Sequence, residues 1–344
     1  MKKFLFIILT TVISFAYVNP FESVFNEINN TDTQTEEINE TNITKENNNS
    51  LITYEEFFSD IFESEKAKIT LAVIIDKKKF FKFVPSVINS INAYLIYKNV
   101  DYNLSVFSTE DNITKIQKEY KNIIYIGDKN FPDIKIYNPV YNKNDFNYTN
   151  VIFGGIDFEN QIKKFLKFTQ KATAINEQTE ISSSLLKYEK KYFFLKELVY
   201  PNINYYSLKN DYIFFNVSAG KTAQILSKLT YNQIHTKLQF STQINYDPLL
   251  IAITQPQDVK KLIIANSIIN PPVKIEDYSL LLNSDIKYNW LNYATDILLN
   301  KIYNESLNED SFYMNDFGVY IFDNQIEYKI KLYQIINHAF KQVE

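Results

Sequence analysis

Few side chains in this sequence have the types and spacing that catalysis needs. Two Ser-x-x-Lys strings, Ser184 to Lys187 and Ser218 to Lys221, have the spacing of a serine nucleophile with its lysine base. The Lys-Thr-Gly and Ser-Asp-Asn companions of that chemistry occur nowhere in the chain. Gly220, Lys221 and Thr222 end like a phosphate-binding loop, yet the glycine required five positions earlier is Phe215, so the backbone nest cannot form. His235 and His338 are the two histidines, far apart in the chain, and there is no cysteine. A histidine triad or a zinc site therefore lacks material, and calcium loops of the Asp-x-Asp-x-Asp-Gly type are missing. The expectation is a non-enzymatic chain with no catalytic residue, metal or cofactor.

What remains is a set of hydrogen-bonding residues placed where apolar runs stop. In the first half these are Asp76, Lys77, Ser108, Thr109, Asp128 and the backbone of Gly154 and Gly155. In the second half they are Asn176, Gln178, Asn216, Ser218, Thr242, Gln243, Asn266 and Ser267. Open α/β sheets bind ligands beside the carboxyl ends of their strands, so this set forms the candidate ligand-binding site, suited to orienting a polar solute. The same polarity is ordinary for loops at strand ends. The lysines at 77, 78, 79 and 82 read either as a solvated turn or as a contact for an anion.

The elements that must position these residues alternate. Ile69–Ile75, Tyr102–Phe107, Asn122–Ile126 and the shorter Ile134–Tyr137 read as strands, with helices over about Phe80–Lys98 and Asn112–Tyr120 between them. Val151–Phe153 is an apolar run broken by Gly154 and Gly155; Asp157 then caps a helix whose face carries Phe158, Ile162, Phe165, Leu166 and Thr169. A helix start after a glycine turn can hold an anion, or the glycines can simply let the helix pack back on its strand. Beyond it, the spacing predicts strands at Ala172–Ile175, Ile203–Ser207, Tyr212–Val217, Lys237–Phe240 and Leu262–Ala265. Helices are predicted at Ile181–Val199, Lys221–Tyr231 (capped by Ser218) and Pro248–Thr254. After Pro271 and Pro272 the pattern gives a long helix, Leu280–Tyr303, a hairpin over Phe317–Lys331 turning at Asp323 and Asn324, and a helical tail, Leu332–Phe340. The fold class is α/β: two Rossmann-like lobes with parallel sheets and a cleft between them. The expected divisions are a first lobe at 51–156, a second lobe at 157–267 and a segment at 268–344 that returns to the first lobe.

The chain's beginning speaks to its compartment. Lys2 and Lys3, the apolar run Phe4–Ile13 and the Ser-Phe-Ala string ending at Ala16 have the make-up of a secretory signal peptide over residues 1–16. Residues 17–50 are rich in Asn, Thr and Glu, with seven acids and one lysine, and read as a disordered acidic spacer. Leu51–Lys66 then reads as a short amphipathic helix bearing Phe57, Phe58, Ile61 and Phe62. Together the signal and spacer account for the net charge of −4, leaving the remainder neutral. A neutral body excludes nucleic acid as the expected partner. Without cysteine there is no lipid anchor, and no later run reaches the roughly 18 apolar residues of a spanning helix. The expected location is periplasmic, by export and without a lipoprotein anchor or a membrane span after signal cleavage.

The run KITLAVIID, a long helix, DYNLSVFS, a second helix and NIIYIGD, followed by the crossover VIFGGIDFENQIKKFL, resembles the opening of type 1 periplasmic binding proteins. That fold includes leucine-binding proteins and the penicillin-binding-protein activators, and the resemblance covers about residues 67–340. It implies a hinged pair of lobes that closes on a small polar solute, with a transporter as possible partner. Equally it implies a cell-envelope interaction protein with a vestigial cleft, partnered by a peptidoglycan synthase. DKKKFFKF stands where solute-binding relatives carry a glycine-containing loop, and NEQTEISSS stands at the corresponding place of the second lobe.

Overall fold

The computed structural model describes residues 68–307 and 316–343, apart from 110, 112, 130, 132, 147 and 270. The expected signal, spacer and Leu51–Lys66 helix lie outside the described residues.

The first sheet grows from β1 (Lys68–Ile75), whose KITLAVII is buried from Leu71 onward. Continuous apolar runs of this kind mark parallel strands covered on both faces. After β1 come the single turn α1 (Lys77–Phe80) and α2 (Val84–Tyr97), with Pro85 in its first turn, where a missing N–H costs nothing. Then follow β2 (Asp101–Ser108), α3 (Ile113–Glu119), β3 (Asn122–Ile126), β4 (Ile136–Asn138) and β5 (Val151–Phe153). The chain crosses to a second sheet through α4 (Phe158–Lys163), β6 (Lys171–Asn176), α5 (Glu180–Tyr192), β7 (Phe194–Val199), β8 (Ile213–Asn216), α6 (Ala219–Tyr231), β9 (Gln239–Ser241), α7 (Pro248–Ile253), α8 (Pro256–Val259) and β10 (Leu262–Asn266). It returns with α9 (Val273–Leu281), α10 (Trp290–Ser306), β11 (Tyr320–Phe322) and β12 (Gln325–Glu327), then crosses a third time to β13 (Lys331–Ile336) and β14 (Ala339–Gln342).

Each sheet has seven strands, in the orders β11-β12-β5-β4-β3-β1-β2 and β14-β13-β10-β9-β8-β6-β7. Most neighbours are parallel; β11–β12, β10–β13 and β13–β14 are antiparallel. The result is an α/β fold of two lobes joined by three short crossovers, between β5 and α4, β10 and α9, and β12 and β13. Among the described residues no helix is long and apolar enough to cross a membrane.

The lobes are packed differently. The first buries α2 and α10 side by side, and α10 is buried over most of its length from Leu291 to Ile302. Polar groups on that contact pair across it: Ser90 donates to Asp296 at 2.9 Å and Asn300 donates to Tyr94 at 2.7 Å. The second is filled by rings, Phe165, Phe168, Tyr212 and Phe214 around Phe240.

Four local expectations are corrected. The helix predicted over Ile181–Val199 ends at Tyr192, and Phe194–Val199 is β7, an edge strand pairing with β6 in full register. With that edge occupied, Ile203–Ser207 is not a strand; the connection forms a 3-10 turn at Tyr205–Leu208. The long helix Leu280–Tyr303 is two helices, because Asn283 takes φ 53° and turns the chain. The tail expected as helical is the β13–β14 hairpin, turned by Asn337 and His338 at φ 50° and 55°. Its strands belong to the second sheet, so the segment after 268 is shared between the lobes.

Candidate functional site

Strand order reverses at one place in each sheet: beside β1, which lies between β2 and β3, and beside β6, which lies between β7 and β8. Such reversals open a crevice at the carboxyl ends of the strands. An acid and a lysine bridge both crevices.

In the first lobe the crevice lies between the ends of β1 and β3. Asp76 is buried, its N–H donates to Ile126 O at 2.9 Å, and its carboxylate caps α1 by accepting from Lys78 N at 3.0 Å. That cap fixes the turn that aims Lys79 across the crevice, where its Nζ donates to Asp128 Oδ2 at 2.8 Å. The hydrogen bond holds the Lys79 ammonium above its ordinary range and Asp128 below its own. Both side chains are about a third exposed, so solvent screens the pair. Lys77 points outward on the same turn; Ser108 and Thr109 end β2, their amides donating to Asp111 Oδ2 at 2.6 Å and Ile75 O at 3.3 Å.

Gly154 and Gly155 are taken up by the fold itself. Their amides donate to Asn138 O at 2.7 Å and Tyr141 O at 2.9 Å, which leaves neither N–H for an anion. A Cβ on Gly155 would stand 2.5 Å from the carbonyl oxygens of Val140 and Tyr141, so the position requires glycine for close backbone approach. What the glycine pair serves here is a close approach of the chain to the loop after β4.

In the second lobe the crevice between β6 and β8 is bridged twice. On the surface Lys221, in the first turn of α6, pairs with Glu177, just past β6, and its Nζ stands 5.5 Å over the Tyr200 ring. Beneath, Asn216 Nδ2 donates to Asn176 Oδ1 at 2.9 Å and to Glu189 Oε2 at 2.8 Å. Glu189 is wholly buried, and burial pushes its carboxyl up to about 8 despite the Asn216 bond. Its Oε1 has no hydrogen-bond partner among the described residues. Gln243 and Ser267 form a separate knot with Gln161 of α4: Gln161 Nε2 donates to Ser267 Oγ at 2.7 Å and Gln243 Oε1 at 3.0 Å, and Gln243 N donates back to Gln161 Oε1 at 2.9 Å. Asn266 closes a turn onto Ile268 at 3.1 Å. Thr242 is buried with its hydroxyl unpartnered, while Gln178 and Ser218 are exposed.

Thus the amides and hydroxyls named from sequence in the second lobe mostly hold strand ends together. The charged residues that bridge the crevices, Lys79, Glu177 and Lys221, were not in that set, nor were Glu189, Gln161 and Asn138. Asn138 binds Gly127 O at 2.9 Å and accepts from Val140 N and Tyr141 N. A polar residue closing an apolar run was a usable signal for Asn138 and Glu177; nothing local marked Glu189 or Gln161, which lie within helices.

Across the lobes, Tyr188 Oη donates to Asp145 Oδ1 at 2.8 Å, and Lys79 Nζ stands 4.0 Å from Glu180, which is largely exposed. Cavities lined by Asp157 and Glu327, by Lys163 and Lys329, by Asn210 and Lys237, and by Gln233 and Lys260 lie elsewhere and contain none of the strand-end residues named from sequence.

No protein-family model and no curated sequence matches the chain. Solved structures do. An extracellular ligand-binding receptor from Verminephrobacter eiseniae superposes with TM-score 0.60 at 8% identity, covering 80% of this chain and 100% of that one. An ABC transporter substrate-binding protein from Desulfitobacterium hafniense in complex with Leu gives 0.54 at 9% identity, with the same coverage. LpoA from Haemophilus influenzae gives 0.55 at 10% identity over 82% of this chain and 60% of its own. The chain has the type 1 periplasmic-binding-protein fold.

Proposed function

We propose that this chain is a non-enzymatic receptor that binds a small polar solute between its lobes, the solute engaging the acid and lysine at each crevice. The observation that carries this reading is the repetition of one arrangement: Lys79 with Asp128 at the first strand reversal, and Lys221 with Glu177 at the second. The Lys79–Asp128 pair is screened by solvent and such pairs contribute about 0–1 kcal/mol, so a solute carrying charged groups can replace either partner there at small cost, whereas Glu177 is only 12% exposed and presents its carboxylate from a more buried position. Cross-lobe ties include the Tyr188–Asp145 bond and the packing of Tyr288, in the connection before α10, on Tyr246 and Phe340 of the second lobe, and lobes that open and close about the three crossovers turn around such contacts. A structural neighbour described in complex with Leu supports a solute of amino-acid size. Export to the periplasm is part of the same reading and rests on residues 1–16.

A second reading, an envelope interaction protein after the manner of LpoA, has its own observation. Phe81 and Phe83 are 69% and 45% exposed on the lysine-rich turn after β1, at the cleft end of the first lobe. Large exposed rings beside lysines suit a protein partner.

Calorimetric titration of the chain lacking residues 1–16 against amino acids, sugars and nucleosides separates the two. Saturable binding that Lys79→Ala and Lys221→Ala each weaken by roughly 1 to 3 kcal/mol is the expected result. Silence across the panel from a protein that melts cooperatively would replace the receptor reading with the second.

A further inference from the structure

A groove beside the third crossover carries charge of both signs, sorted by end. Its first half is a cavity of about 290 Å³ whose wall includes Asn142, Asn144, Asp157, Asn160, Glu327 and Tyr328. Its second half, about 530 Å³, is lined by Lys163, Lys164 and Lys329 together with Asn160, Tyr328 and Ile330. Asn160, Tyr328 and Ile330 line both halves, so the two are continuous. Tyr328 is held in place by donating to Gly154 O at 2.5 Å.

The charges at the two ends are only partly neutralised locally. In the first half Lys143 is bound to Asp323 and both Asp157 oxygens accept from Asn160, its N at 2.8 Å and its Nδ2 at 2.5 Å, so among the described residues Glu327 is the carboxylate there with no ion-pair or hydrogen-bond partner. Burial raises both carboxyls, and the Asp157 charge raises Glu327 further; Asp145 and Glu159 add to the repulsion at Asp157, and Lys163 opposes it. At the other end Lys163 stands 3.6 Å from Glu159, whereas among the described residues neither Lys164 nor Lys329 is in an ion pair.

We infer that this groove is a second binding site, for a short peptide with free ends, its amino group held by Glu327 and its carboxylate by Lys164 and Lys329. A single amino acid carries both charged groups on one carbon, whereas here the acid and the lysines line different halves that share the wall of Tyr328 and Ile330. Peptide units extend about 3.3–3.6 Å per residue, which separates the charges as the groove requires. The side-chain amides of Asn142 and Asn144 supply donors and acceptors for peptide groups between the ends, while the Asn160 amide is engaged by Asp157 and Lys163. The wall is built by the first-lobe loop after β4, the start of α4 and the third crossover, so a bound peptide touches both lobes and biases the angle between them. The site shares no residue with the crevices of the proposed receptor cleft and does not depend on that reading.

The test is calorimetry on the chain lacking residues 1–16, with trialanine as probe beside its N-acetylated and C-amidated forms. Trialanine is expected to bind saturably and each capped form at least tenfold more weakly. Glu327→Gln and Lys329→Ala, both at exposed positions, should each weaken trialanine about tenfold, with melting temperature as the check on folding. Lys79→Ala should leave it unchanged. Equal binding of the capped peptides, loss of binding in Lys79→Ala but not in Glu327→Gln, or no saturation at millimolar trialanine would each overturn the assignment. Failure of the receptor cleft would be read separately, from amino acids and sugars with the Lys79 and Lys221 variants.

Discussion

The crevices of the two lobes are bridged by the same pair of residue types but supported in opposite ways. Under Lys79 and Asp128 lies the capped turn of Asp76, close to solvent. Under Lys221 and Glu177 lies a sealed network, Asn176, Asn216 and Glu189, with a carboxyl that burial keeps protonated near neutrality. A buried network holds one geometry, because each lost partner leaves a desolvated polar group behind. An exposed pair yields readily. In the proposed receptor the second lobe is therefore the fixed jaw and the first the adjustable one.

The largest expected effect tests the fixed jaw through pH. Glu189 binds its proton more tightly in the folded chain, up to about 8, than in the unfolded one, near the ordinary glutamate value. Between those values the native state holds more protons, so stability falls as pH rises from about 4.5 and levels off above about 8. Asp296, buried against Ser90 in the first lobe, acts in the same direction, so the informative quantity is a difference. Glu189→Gln should flatten its share, a relative gain on the order of 4 kcal/mol between pH 5 and 9 at 1.36 kcal/mol per unit. Denaturant unfolding at several pH values measures it; parallel curves for variant and wild type would show that Glu189 carries no such proton.

Asn216→Ala should cost about 1–3 kcal/mol, because it strips Glu189 and Asn176 of their shared donor. It should also raise the Glu189 carboxyl further, moving the alkaline loss of stability to higher pH. A change below about 0.5 kcal/mol would mean that the network is loose and that the lobes do not differ in this way.

The smallest effect belongs to the adjustable jaw. Lys79→Ala should change unfolding stability by less than about 1 kcal/mol while weakening solute binding. A stability loss as large as that of Asn216→Ala would put the first crevice on the same footing as the second.

Much of the fold was legible because parallel strands buried on both faces are continuous apolar runs. KITLAVII, NIIYI and LIIAN announce themselves, and the intervening helices follow. The turn at Asp323 and Asn324 was read, and both take positive φ. Asn337 and His338 make the same kind of turn, yet the flanking LYQII and AFKQ fit a helical period equally well. Phe194–Val199 was misread for a related reason: Leu, Lys and Glu favour a helix, and a strand forms because the edge of β6 is open to it.

The candidate site was legible as a location more than as a list. That strand ends in both halves carry polar residues follows from sequence order, and Asp76, Asp128, Asn176 and Asn216 all stand at the crevices. By itself the sequence determined the alternation of elements, the crossover at the glycine pair and the neutral, cysteine-free character of the body, because these depend on neighbours along the chain. Only the tertiary structure decided that Asn176 and Asn216 serve a buried carboxyl, that Lys79 and Lys221 bridge matching crevices, and that Glu327 and Asp157 line one cavity beside a crossover. Those pairings join residues tens to more than a hundred positions apart, and their energies come from burial and charge proximity, which no local pattern encodes.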